Sequence, residues 1–120
     1  MTIDEFIKMV EQSHINAVDV KKVEEMYSVS LNEFLSRIIS ADKESIFIED
    51  GVRKLSFYEI LNSDDEYGTE FVAMHIIPLF DFEDNDFLGF DYLDNTWKMY
   101  NIVDKCIFDS KENLMDFFKK

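Results

Sequence analysis

Cysteine, proline and glycine are nearly missing from this 120-residue chain, which holds 1 Cys, 1 Pro and 3 Gly. The lone Cys106 has no internal partner, so a disulfide framework is excluded. Its place in the apolar run Cys106-Ile107-Phe108 reads as a small buried hydrophobe in a reducing compartment. So little Pro and Gly leaves no linker, low-complexity segment or collagen-like tract, and no internal repeat is visible. Histidine is scarce as well, with 2 in the chain, His14 and His75. Neither His-Glu-x-x-His nor Cys-x-x-Cys occurs, so zinc spacing is missing. A phosphate-cradling Gly loop and a Gly-x-Ser-x-Gly elbow are missing too. No stretch approaches the ~18 uninterrupted apolar residues of a membrane span. The start, Met1 to Glu5, has neither the basic nor the apolar region of a secretory signal. A cytoplasmic protein is expected.

Positive charge is the other shortage. Lys and Arg number 12 against 26 Asp and Glu, a formal net charge of -14. Such a field repels nucleic acid and anionic membranes, so neither is an expected partner, and it draws basic partners in. What the chain does have is apolar mass: 47% hydrophobic residues, with 12 Phe among them. That suffices for a core within one domain spanning 1–120.

The stretch from Ile76 to Leu93 organises the rest. It alternates apolar and aromatic residues, breaks at one acidic turn, and alternates again, the pattern of a hairpin. Upstream, Thr2 and Glu5 have capping-box spacing before Ile3, Phe6, Ile7 and Val10. Asn16 to Asp19 is a loop or a second cap, and Val20, Val23 and Met26 continue as a second helix. Ser30 and Glu33 repeat the spacing, and Leu31, Phe34, Leu35, Ile38 and Ile39 make a stripe with Phe34 at its centre. Asp50-Gly51 is a hairpin turn between Ser45–Ile48 and Val52–Leu55. Ser56 and Glu59 cap a short helix, Phe57 to Leu61, followed by a polar loop to Gly68. Phe71 to Pro78 reads as a buried strand with a bend or bulge at Pro78. Thr96 to Asn101 is a further strand, and Lys105 to Phe108 is a short last strand or an extended lead-in. Asp109 and Glu112 cap a closing helix carrying Leu114, Met115, Phe117 and Phe118. The order gives an α+β fold: N-terminal helices, a mainly antiparallel sheet of about five to six strands, and a C-terminal helix.

Candidate chemistry lies in the carboxylates. Asp81, Glu83, Asp84, Asp86, Asp91 and Asp94 fall in one stretch without a basic residue between them. An EF-hand started at Asp84 fails, because Leu88 and Asn95 stand where an oxygen ligand and Glu are needed. A glycosidase pair is not singled out among so many acids. No cofactor and no metal are therefore expected, and an acidic binding module is favoured over an enzyme. The six carboxylates are its candidate contact surface. Their neighbours Phe87, Tyr92 and Trp97 read first as core and also as candidate aromatic anchors, Tyr92 and Trp97 foremost. A helical face around Glu24, Glu25 and Glu33 is the competing surface.

Several segments are similar to one known family. Val23-Glu24-Glu25-Met26-Tyr27 and Val29 to Leu35 resemble the opening motif of the SUKH superfamily, the group of the Smi/Knr cell-wall-synthesis regulators. Leu55-Ser56-Phe57-Tyr58-Glu59-Ile60-Leu61 looks like its Leu-x-x-x-Glu-Ile-Leu segment. Ile77-Pro78 with the acidic hairpin is similar to its Ile-Pro block, and Ser110 to Phe118 to its closing segment. The resemblance covers about Val20 to Phe118. Asn32 replaces the family's Pro, Ser28 its usual Gly, and no Gly-Gly follows the third helix. The resemblance implies a bacterial immunity protein of a polymorphic or contact-dependent toxin system, and a monomer or weak homodimer is expected. It would neutralise a cognate toxin, often a nuclease with a basic active site. A regulatory scaffold of the cell-wall type is the alternative, and a small hydrolase a more distant one.

Overall fold

The computed structural model describes residues 1–118. Helix α1 (Ile3–Gln12) opens on the expected capping box, with Glu5 N–H donating to Thr2 Oγ1 at 3.1 Å and Thr2 N–H to Glu5 Oε1 at 3.0 Å. Helix α2 (Ala17–Tyr27) is capped by Asn16 and ends at Ser28 in the left-handed region, φ 55. Helix α3 (Glu33–Ser40) starts later than the Ser30/Glu33 spacing predicts. Asn32 caps it instead, accepting from Leu35 N–H at 2.8 Å, while Glu33 is taken up by Arg37 one turn on. The buried stripe is correspondingly turned: Leu35, Ile38 and Ile39 are buried, and Phe34 is half-buried.

Two sequence expectations fail between residues 57 and 75, for local reasons. Helix α4 runs Phe57–Tyr67 rather than stopping at Leu61. Its last turns carry Asn62, Asp65 and Glu66 on the solvent side, and the polar composition resembles a loop. Ser63 Oγ bonds back to the Glu59 carbonyl, and Gly68 closes the helix at φ 65. The predicted strand Phe71–Pro78 is instead a turn of helix, α5 (Phe71–Met74), then a strand, β3 (Ile76–Phe82). Asp64 causes this: its carboxylate accepts from Phe71 N–H at 2.8 Å, Val72 N–H at 3.2 Å and Thr69 Oγ1 at 2.6 Å. His75, at φ 62, ends the turn. A continuous apolar run has no period that separates these two conformations.

The sheet is a six-stranded antiparallel meander in chain order, so the α+β reading holds. Strands β1 (Ile46–Phe47) and β2 (Arg53–Lys54) are short; β4 (Asp86–Asp91), β5 (Thr96–Asn101) and β6 (Cys106–Lys111) follow β3. Two turns place successive residues at positive φ, Asp50 (60) with Gly51 (75), and Asp84 (62) with Asn85 (66). That is the twist-compatible type I′ requirement. The register shifts between Pro78 and Phe80, the irregularity expected of a proline in a ladder. One sheet face packs Ile77, Phe80, Leu88, Phe90, Trp97 and Met99 against α1–α4, and the other packs Ile76, Phe87 and Tyr100 against Phe71 of α5. Gly89 sits where the backbones crowd; a Cβ there would lie 2.7 Å from the Ile77 carbonyl oxygen. The closing helix is a single 3-10 turn, Leu114–Phe117. Asp109, expected to cap it, lies inside β6, which extends past Phe108.

Candidate binding surface

Cross-strand register builds one continuous row across the second face of the sheet. Phe47 pairs with Arg53, Arg53 with Asp81, Asp81 with Phe87, Phe87 with Tyr100, and Tyr100 with Ile107. Directly opposed residues project to the same side, so these six side chains neighbour one another in order. Both ends of the row are exposed, Phe47 at 71% and Ile107 at 44%. Over its first half lies an open cleft of about 610 Å³, lined by Phe47, Arg53, Tyr67, Asp81 and Phe87, with Glu83 and Asp84 at its rim.

The cleft floor is a charge cluster. Arg53 forks onto Glu59, Nη1 to Oε1 at 2.6 Å and Nη2 to Oε2 at 2.8 Å, and Nη2 reaches Asp81 Oδ2 at 3.0 Å. Tyr67 OH donates to Glu59 Oε2 at 2.8 Å, and Ser56 N–H to Oε1 at 3.1 Å. Burial pushes the Glu59 carboxyl up, but the Arg53, Tyr67 and Ser56 hydrogen bonds outweigh it and hold the group at about 2. Burial, then the bond to Glu59, pushes the Tyr67 phenol up to about 12. Asp81 receives a single bond from Arg53, and burial leaves its carboxyl above the ordinary value. Of these, sequence reading finds Asp81 alone. Arg53 and Tyr67 carry no local signal, and the capping-box spacing of Glu59 gives no sign of its second role.

The six predicted contact carboxylates do not form one rim. Strand β4 separates Asp86 from Asp91 by five residues, about 17 Å. At the Asp91 end, Lys98 Nζ lies 2.8 Å from Asp94 Oδ2 and 3.7 Å from Asp91 Oδ2, so the charge there is largely answered. The Lys98 bond, then Thr96, holds the Asp94 carboxyl low. Asp81 is the cleft-floor residue described above. At the other end, Glu83 and Asp84 are exposed with no cation on either among the described residues, and Asp86 Oδ1 accepts from Asn101 Nδ2 at 2.8 Å. Turn Glu49–Gly51 and loop 102–105 close the same end, adding Glu49, Asp50 and Asp104 against Lys105.

The predicted aromatic anchors belong to the interior. Trp97 is 4% exposed and packs edge-on against Phe90, 5.1 Å between centroids, because β5 turns it toward the helices. Tyr92 is half-buried; its OH donates to the Tyr27 carbonyl at 2.9 Å and lies 3.1 Å from His75 Nδ1. Since the hydroxyl proton goes to Tyr27, His75 Nδ1 is the donor in that contact. The competing helical face is largely engaged within the chain: Glu24 accepts from Leu31 N–H and Glu33 from Arg37. Among the described residues no group of three His, Cys, Asp or Glu is arranged to hold a metal ion, and no helix is long and apolar enough to cross a membrane. Set against known proteins, the chain matches no family model, no curated protein and no solved structure.

Proposed function

We propose that this chain is a cytoplasmic immunity protein, a stoichiometric inhibitor that captures a basic protein toxin, with a nuclease as the class its charge suits. The observation that carries the reading is the concentration of unanswered carboxylates, Glu83 and Asp84 with Asp86, at one end of the sheet beside an open cleft. A net charge of -14 extends that field and speeds encounter with a basic surface. The SUKH resemblance supplies the biological class. Ser28 fits it, since φ 55 at this helix end is a conformation glycine favours, the residue the family usually has there. Binding is favoured over hydrolysis because Glu59, the strongest candidate partner for Asp81, is spent on Arg53, Tyr67, Ser45 and Ser56. Its carboxylate has no capacity left for a water or substrate.

Affinity capture from the producing cell, with mass spectrometry of the retained material, tests this. One basic protein should be retained at low salt, released by high salt, and lose its own activity on adding one equivalent of the purified chain. Retention of nucleic acid at physiological salt, or a captured protein whose activity is untouched, would overturn the reading.

A further inference from the structure

The cleft contains a feature that the fold does not require. Phe47 occupies a two-residue edge strand and leaves 71% of its surface in water, beside a cluster of charged groups. A single exposed apolar side chain is ordinary on a protein surface, but an aromatic ring at the edge of an open cleft lined by carboxylates offers a face to a bound cation. Across the cleft stands the accessible ring of the half-buried Tyr67, packed nearly perpendicular at 4.8 Å on Phe87, which is itself buried in the sheet. Between the aromatic sides lie Asp81 on the floor and Glu83 and Asp84 on the rim.

The charge balance of this space selects the occupant. Among the described residues Arg53 is the one cation lining it, and Glu59 cancels that charge through two parallel bonds. The carboxylates of Asp81, Glu83 and Asp84 are then in excess, so an anion is repelled and a cation attracted. A planar, weakly hydrated guanidinium gains from aromatic faces and from carboxylate acceptors at once, whereas an ammonium prefers water or a point contact.

We infer that the cleft is a receptor for an arginine side chain of the protein partner, held between Phe47 and Tyr67 with its guanidinium on Asp81. This deepens the proposed function and rests on it for the identity of the partner, but the pocket chemistry can be tested alone. Asp81 offers a half-buried acceptor that Arg53 engages through one nitrogen. Glu83 and Asp84 guide the approach from the rim, where exposed charge acts mainly on encounter rate.

The experiment is an NMR titration of the purified chain with an acetylated, amidated Gly-Arg-Gly tripeptide, its lysine counterpart, and inorganic phosphate. The arginine peptide should shift amides centred on Phe47, Asp81 and Phe87, and the lysine peptide should bind about threefold more weakly at the same place. Phosphate should leave those amides unmoved. Phe47→Ala should weaken arginine binding about threefold without lowering the melting temperature, since the ring is exposed. Asp81→Asn should weaken it about tenfold at low salt. Shifts scattered equally over the 92–95 loop, equal affinity for the two peptides, binding unchanged in Phe47→Ala, or phosphate moving the cleft amides would each overturn the inference. Arginine binding in the cleft with no basic protein captured from cells would sink the proposed function alone. A captured toxin bound equally well by wild type and Phe47→Ala, with no peptide binding, would sink the arginine pocket alone.

Discussion

Replacing Arg53 by alanine is expected to destabilise the fold by about 3 kcal/mol, near the lower end of the range for removing one partner of a buried ion pair. Both side chains are largely shielded, Arg53 at 20% and Glu59 at 14% side-chain exposure. The variant leaves Glu59 as a desolvated carboxylate with its Tyr67, Ser45 and Ser56 bonds alone, and leaves Asp81 with no cation among the described residues. The acid limb of stability should change with it. Glu59 is held at about 2 against an ordinary 4.5. A depressed carboxylate contributes stability that is fully present above the unfolded value and is lost as pH falls through the folded one. That shift corresponds to about 3 kcal/mol, and solvent at the cleft mouth screens it to about 2 kcal/mol. Urea denaturation at pH 7 and at pH 3 measures both effects. The wild type should lose stability between them by more than Arg53→Ala does. Equal pH dependence, or a neutral-pH change within about 0.5 kcal/mol, would show that the cluster is incidental to folding.

Lys54→Met is expected to act in the opposite direction, raising stability at pH 7 by about 2–3 kcal/mol. Lys54 is 0% exposed, and among the described residues its ammonium has one hydrogen-bond partner, the Asp42 carbonyl at 2.7 Å. Burial pulls its pKa down from 10.5 to about 8, with Asp42 opposing part of that. Keeping it charged at neutral pH therefore costs free energy that a methionine of similar length does not. The sign of the pH dependence follows. Between about 8 and 10.5 the unfolded chain binds more protons than the folded one, so wild-type stability should rise with pH across that window. Lys54→Met should lack the rise, and its advantage should shrink at pH 9.5. A variant less stable than wild type at pH 7 would mean that the Asp42 bond outweighs the desolvation.

Legibility from the sequence divided along physical lines. The capping boxes at Thr2 and Ser56, the Asp50-Gly51 turn, the Pro78 irregularity and the β5 boundaries are fixed by nearby residues, and the structure has them where local chemistry puts them. Phe71–His75 was not legible, because its helical turn depends on Asp64, a residue outside the apolar run. The α4 extension was hidden because a solvent-facing polar helix and a polar loop share a composition. The candidate surface was half-legible. Glu83, Asp84 and Asp86 lie together in sequence and in space. Asp81, Asp91 and Asp94 lie near them in sequence, but Arg53 and Lys98 arrive from other strands to engage them. Trp97 shows that register, rather than proximity to an acidic turn, decides whether an aromatic faces the core. Arg53, 28 residues from Asp81, could be placed there only by strand pairing.

The most direct test of capture by the acidic end of the sheet is the association rate of the triple variant Glu83→Gln/Asp84→Asn/Asp86→Asn with the captured basic protein. Stopped-flow measurements at low and physiological salt give the rate and its salt slope. These side chains are exposed or half-exposed, so stability should move by no more than about 0.5 kcal/mol per site. The association rate at low salt should fall about tenfold and its salt dependence flatten, with dissociation changed less. An unchanged on-rate with the wild-type salt slope would contradict the assignment and move the contact to another face, the helical carboxylates Glu24, Glu25 and Glu33 being the next to neutralise.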